Sequence, residues 1–181
     1  MPRSARKQSS TNIYHAILRG NNKQQIFFDD EDYQKFFFFL QQQKTKWNCK
    51  IYAWCLMPNH VHLVLKEDSG SVSRFFQGLG SNYVYWYNRK YDRCGHLFEG
   101  RYKSEPIEDD VYFLRVIRYV HLNPVKCGIC KNPEEFPYSS YTKFFSDKHP
   151  KSDDLLFGFI NRDEFFKYHL EKTMDKCLDI D

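Results

Sequence analysis

The run MPNHVHLVL, residues 57–65, sets two imidazoles, His60 and His62, one residue apart. In an extended chain successive side chains alternate between faces, so both histidines point one way while Val61, Leu63 and Leu65 point the other. Adjacent imidazoles on one strand face can share a divalent cation or form a polar pair on a sheet surface, and the spacing alone leaves both readings open. A second pair stands in RYVHLNP, 118–124, where Tyr119 and Asn123 are four apart and so share a helix face one turn apart. Tyr119 lies off the centre of the apolar stripe through Phe113, Leu114, Ile117 and Val120; by pattern alone it is a boundary aromatic, and Asn123 an end-of-helix residue before Pro124. CGIC, 127–130, has zinc-ligand spacing, but no second CxxC or CxxH completes four ligands, so it reads as two ordinary thiols in a turn.

The elements that would position these residues follow from periodicity. Residues 12–20 alternate and end in Gly, which predicts a strand; 29–47 open on four acids and carry Tyr33, Phe36, Phe37 and Leu40 at helical spacing, which predicts a helix. Residues 50–56 and 60–66 form two strands joined across MPN, a hairpin whose apolar triplet should face helices and leave the histidines on the opposite side. From residue 72, Val72, Phe75, Phe76, Leu79, Tyr83 and Trp86 fall on one helical face despite Gly78 and Gly80, which makes Tyr83, Trp86 and Tyr87 core residues before they are base-stacking candidates. Residues 96–107 read as a strand kinked at Gly100, and 108–124 as a helix stopped by Pro124. The resulting βαββαβ order predicts an α+β, ferredoxin-like (split βαβ) antiparallel sheet, with an additional helix carrying the tyrosine. Residues 1–126 would form the main domain and 127–181 an irregular C-terminal helical appendage, its one helix at 161–175, packed on the same domain.

Charge is unevenly spread: residues 1–103 hold 16 Lys and Arg against 8 Asp and Glu, and residues 104–181 hold 11 against 15. A basic front with 18% aromatics suits a phosphate backbone and unpaired bases. The candidates for backbone contacts are Arg3, Arg6, Lys7, Arg19, Lys23, Arg74, Arg89, Lys90, Arg101 and Lys103, weighted as a cluster because single surface cations are commonly only solvated. The start, MPRSARKQSSTN, is basic and polar with no apolar run behind it, which reads as neither a signal peptide nor a membrane span. A cytoplasmic protein with six reduced cysteines and no disulfide framework is expected.

Four blocks, YHAILRGNNKQQIFFDDEDYQKF, WCLMPNHVHLVL, YNRKYDRCGHLFEGRYKS and RYVHLNPVKCGI, resemble in order and spacing the single-tyrosine HUH transposases of small insertion sequences, and especially their REP-associated tyrosine transposase relatives. The resemblance runs from about residue 10 to 141. It implies that His60 and His62, with Val61 between them, bind Mg²⁺ or Mn²⁺, that Tyr119 is the nucleophile, and that Asn123 fills the third metal-ligand position, where relatives also carry Gln. It further implies cleavage and rejoining of single-stranded DNA beside a hairpin through a 5′-phosphotyrosine intermediate, by a monomer or a homodimer. RGNN and the extra C-terminal segment point to the REP-associated branch.

Two readings from other classes stand beside it. A catalytically inactive module binding hairpin DNA or RNA on an RRM-like sheet would bind without cleaving. An unrelated metallohydrolase needs a further carboxylate or histidine ligand beside HxH, and the sequence places none.

Overall fold

Two aspartates decide where two of the helices begin. Asp29, in extended conformation, accepts from the Asp32 backbone N–H while the Asp32 carboxylate accepts from the Asp29 N–H, a reciprocal cap that starts α1 (Asp30–Lys46). Asp109 caps α3 (Asp110–Lys126) by accepting from the Tyr112 N–H at 2.7 Å. The computed structural model describes residues 7–67, 72–145 and 160–170.

Strands β1 (Ile13–Arg19), β2 (Lys50–Met57), β3 (His60–Lys66) and β4 (Lys103–Pro106) form one antiparallel sheet in the order β2-β3-β1-β4. With α2 (Val72–Lys90) between β3 and β4, this is the split βαβ that the periodicities predict. Val61, Leu63 and Leu65 join Ala16, Leu18 and Leu56 in a core closed by Phe36 and Leu40 of α1 and Phe75, Leu79 and Tyr83 of α2. The other face carries a second core, in which Ala53, Cys55, Met57 and Val64 meet Phe113, Val116, Ile117 and Val120 of α3. Helices therefore cover both sheet faces, and α3 is held against the face that carries the histidines.

Two boundaries differ from the sequence reading. The strand expected over 96–107 is regular only at β4: Asn21 N–H donates to Leu97 O and Glu99 N–H to Arg19 O, then the chain swings away at Gly100 (φ +110°) and rejoins the sheet at Lys103. Burial of Leu97 and Phe98 in the first core pulls this stretch off the sheet axis. Pro124 does not stop α3, because a proline in the last turn removes a single donor; the end comes at the left-handed Gly128 (φ +69°), after Cys127 N–H has bonded Asn123 O. Of the helix expected over 161–175, the described part is α4 (Arg162–Leu170).

The segment after α3 folds back over the second core through Phe136, Tyr141 and Phe165. Leu56 N–H donates to Tyr138 O at 2.8 Å, Cys55 bridges to Ser139, and Ser140 Oγ accepts from Trp54 N–H, so this segment runs alongside β2. His121 of α3 contacts His169 of α4 at 3.0 Å and Ser140 at 2.8 Å, all three being buried.

Gly20 sits where two loops nearly touch. A Cβ there would lie 2.2 Å from the Gln24 carbonyl oxygen and 3.0 Å from Ile26, while Gly20 N–H is tied to Asn59 O. Gly20→Ala is expected to cost about 1–3 kcal/mol, as overpacking does, read as a lower urea midpoint at unchanged slope. A midpoint equal to wild type would mean that the loop yields freely.

Packed phenols, some buried and some half-buried, give the fold an alkaline limit. Tyr91 and Tyr141, chiefly through burial, and Tyr138, chiefly through its hydrogen bond to Asp30, are pushed up to about 12, and burial lifts Tyr33 and Tyr83 further. Unfolded phenols ionise at 10.0. Raised folded values mean stability that is complete below pH 10 and is lost as pH rises through about 12. Tyrosinate absorbance should appear together with loss of helical circular dichroism in that window; ionisation of these groups with the fold intact would contradict the assignment.

Candidate active site

Strand β3 lies between β2 and β1, with His60 opposite Arg19 of β1 and His62 opposite Ile17. Cross-strand partners share a face, so both histidines look towards α3. Helix α3 brings Tyr119 and Asn123 to the same place. The His60 and His62 rings stand 4.8 Å apart between centroids, the His62 and Tyr119 rings 5.6 Å apart, and His60 Nε2 lies 3.3 Å from Asn123 Oδ1. Side chains far apart in sequence thus form one cluster. All four are buried: His62 completely, the others no more than 9% exposed.

Hydrogen bonds indicate how protons are distributed. Asn59 Oδ1 accepts from His60 Nδ1 at 2.6 Å, while Asn59 Nδ2 donates to Lys23 O. With its proton at Nδ1, His60 turns the lone pair of Nε2 towards Asn123 Oδ1, another acceptor. The Asn123 oxygen also accepts from Cys127 Sγ at 3.7 Å. His62 Nε2 is buried with no hydrogen-bond partner, an arrangement that ordinarily costs about 1–3 kcal/mol. Burial, then the neighbouring His15, His60 and Lys126, hold the His62 imidazole well below its usual range and therefore neutral. Neutral imidazole nitrogens with an amide oxygen suit a small divalent cation that takes its remaining oxygens from a substrate. Among the described residues no cluster of three or more His, Cys, Asp or Glu side chains could hold a metal, and the oxygen that stands beside His60 Nε2 is that of the Asn123 amide.

A cleft of about 460 Å³ opens over His60, Tyr119 and Asn123, with Arg19, Lys23 and Lys126 among its walls. Lys126 Nζ stands 4.4 Å from the Tyr119 ring centroid, which puts a positive charge beside the phenol. Of the other cations read from the sequence, Lys103 is exposed on the histidine face of β4, opposite Ile17, and Lys7 is exposed near the N-terminus. Arg74 packs over Trp47 and Arg89 over Tyr85, both cations belonging to α2 on the face away from the histidines, and Arg101 lines a groove beside α2. Lys90 is held by Asp29, Glu31 and Asp32, whose carboxylates raise its pKa against the opposing effect of burial. Arg3 and Arg6 lie outside the described residues. Tyr83 and Tyr87 are core, with Trp86 packed against them.

Three residues at or beside this site escaped the sequence reading, Glu105, Tyr112 and Lys126, and a fourth, His15, is placed by the sequence only on the strand face of Arg19. His15 Nε2 is 3.0 Å from His62 Nδ1, its Nδ1 is 3.1 Å from Glu105 Oε1, and the Tyr112 hydroxyl donates to the same oxygen at 2.7 Å. Alternation puts His15 on the face of Arg19, but only the pairing of β1 with β3 and β4 brings it between His62 and Glu105.

Comparison with known proteins adds an independent line. A family model described as IS200-like transposase matches residues 8–123. A REP-associated tyrosine transposase of Escherichia coli K12 is 23% identical over 96 residues, covering 51% of this chain and 54% of the relative. A provisionally named REP-associated tyrosine transposase of Haemophilus influenzae is 26% identical over 100 residues, covering 49% and 57%. The chain spans little more than half the length of these curated relatives. Among solved structures, a REP-associated tyrosine transposase bound to a REP hairpin has the same fold, with a TM-score of 0.69 at 18% identity over 83% of this chain and 89% of that one.

Proposed function

The chain belongs to the IS200-like transposase family, and from that premise we propose that it is a metal-dependent, single-tyrosine HUH endonuclease and strand transferase acting on single-stranded DNA beside a hairpin. The observation that carries this reading is the meeting of His60 and His62 on β3 with Tyr119 and Asn123 on α3. A hairpin substrate is supported by the REP hairpin held by the structural neighbour. Residues 1–126 form the catalytic domain in this scheme, with 127–181 as an appendage on it. The setting is the cytoplasm, and the protein works as a monomer or a homodimer; among the described residues no helix is long and apolar enough to cross a membrane.

His60, His62 and Asn123 would hold Mg²⁺ or Mn²⁺. When bound, the cation offsets the charge that builds on the non-bridging oxygens of the scissile phosphate. Arg19, Lys23 and Lys126 draw the DNA backbone into the cleft. Tyr119 Oη attacks phosphorus in line, the P–O3′ bond breaks, and the departing 3′ oxygen gains a proton as the phenol loses one. A phenol must lose its proton to attack, and the Lys126 ammonium over the Tyr119 ring favours the developing phenolate. The 5′-phosphotyrosine keeps the energy of the phosphodiester, and a second 3′-OH reverses the attack to reseal the strand.

The test incubates the protein with hairpin-bearing single-stranded oligonucleotides taken from the flanks of its gene, with Mg²⁺, Mn²⁺ or EDTA. A metal-dependent adduct that survives denaturing electrophoresis, and maps by mass spectrometry to the Tyr119 peptide, is expected. Binding without an adduct under every metal would replace this reading with the inactive hairpin-binding module.

A further inference from the structure

Behind His62 runs a line of polar groups that ends at a carboxylate. Glu105 on β4 pairs across β1 with His15, and His15 reaches diagonally to His62 on β3, so the line crosses three adjacent strands. Its links are Glu105 Oε1 to His15 Nδ1 at 3.1 Å and His15 Nε2 to His62 Nδ1 at 3.0 Å. His15 and His62 are both completely buried, whereas the Glu105 side chain is 24% exposed. Tyr112, in the first turn of α3, donates to Glu105 Oε1, so the helix bearing Tyr119 is fastened to the same carboxylate.

The order of protons along the line follows from its end. An ionised carboxylate only accepts, so His15 Nδ1 carries a hydrogen and donates it to Glu105. A neutral His15 then has a lone pair at Nε2, which accepts from His62 Nδ1–H. His62 in turn keeps a lone pair at Nε2, the buried atom without a hydrogen-bond partner. Metal-ligating histidines commonly donate their second N–H to a carboxylate or carbonyl, which fixes the tautomer and strengthens the ligand. Here an extra imidazole is inserted between the carboxylate and the ligand.

We infer that Glu105 and His15 are positioning residues, which lock His62 as the Nδ1–H tautomer and present its Nε2 lone pair to a divalent cation. The inference rests on the reading of His62 as a metal ligand. It adds a connection: the polar line that orients the ligand also fastens the first turn of the nucleophile's helix, through Tyr112.

Two measurements test it separately from that reading. Long-range ¹H–¹⁵N spectra of the histidine-labelled, metal-free protein are expected to give His62 a protonated Nδ1 and a bare Nε2; a proton on His62 Nε2, as would follow from a His15 carrying both protons, overturns the relay. Mn²⁺ titration by calorimetry is then expected to give a dissociation constant about 10–100-fold weaker in His15→Phe than in wild type. Glu105→Gln, which keeps an acceptor for His15 Nδ1–H, should retain the His62 tautomer and lose less affinity. Wild-type affinity in both variants, with heat-unfolding midpoints near wild type, refutes the relay and leaves the ligand assignment standing. Failure of wild type to bind Mn²⁺ refutes the ligand assignment, while the tautomer spectrum still decides the relay. Should His15→Phe not fold, the tautomer spectrum and Glu105→Gln carry the test.

Discussion

Tyr119→Phe is expected to eliminate the covalent protein–DNA adduct and to slow strand cleavage on the order of 10⁴- to 10⁶-fold, the scale seen when a covalent nucleophile is removed. Binding of the hairpin oligonucleotide should stay within about twofold, because the basic residues of the cleft are untouched and only one oxygen is lost. The ring keeps its contacts with His62 and Lys126, so the fold should lose no more than about 1 kcal/mol, the net value of a typical hydrogen bond. Filter binding, denaturing electrophoresis and heat unfolding on the same preparation separate these three quantities. Cleavage that persists in Tyr119→Phe at more than a hundredth of the wild-type rate would transfer the nucleophile's role elsewhere.

The second large effect concerns His62. In wild type, Mn²⁺ at a hundred times its dissociation constant should raise stability by about 2.7 kcal/mol, because the ion binds the folded chain alone. His62→Ala should abolish that shift and lower metal-dependent cleavage at least about a hundredfold, while metal-free binding to DNA stays unchanged. Removing the imidazole relieves its unpartnered nitrogen but leaves a cavity and strips His15 of its donor, so the apo variant should melt below the wild type, and the metal-induced shift is read from its own apo midpoint. A metal-induced shift equal to wild type in His62→Ala would place the ion elsewhere. A wild type that never responds to Mg²⁺ or Mn²⁺ would remove the cation from the scheme altogether.

How much of this was legible in the sequence depends on the range of each interaction. Strand β3 was read to the residue because alternation of His60 and His62 with Val61, Leu63 and Leu65 is a local signal, and the two faces in the structure follow it. The one-turn spacing of Tyr119 and Asn123 was equally local. Their meeting with the histidines is a matter of packing, and only the family resemblance joined the two pairs in advance. His15 and Glu105 were out of reach for a stricter reason: their relation is a register between strands, and nothing within either strand encodes it. The misreadings at Leu97–Tyr102 and Pro124 arose where core burial or a downstream glycine outweighed the local rule.

The backbone of residues 138–140 lies along β2, and at the opposite end of the sheet β4 offers four residues, one of them a proline without an N–H. Unsheathed outer strands invite other chains to extend the ladder, the usual route to continuous intermolecular sheets and to fibrils. Here the Trp54–Leu56 part of one border is covered by the chain itself, and the other border is too short and interrupted to template much. The sheet therefore offers a neighbouring molecule little continuous backbone to pair with beyond the first half of β2.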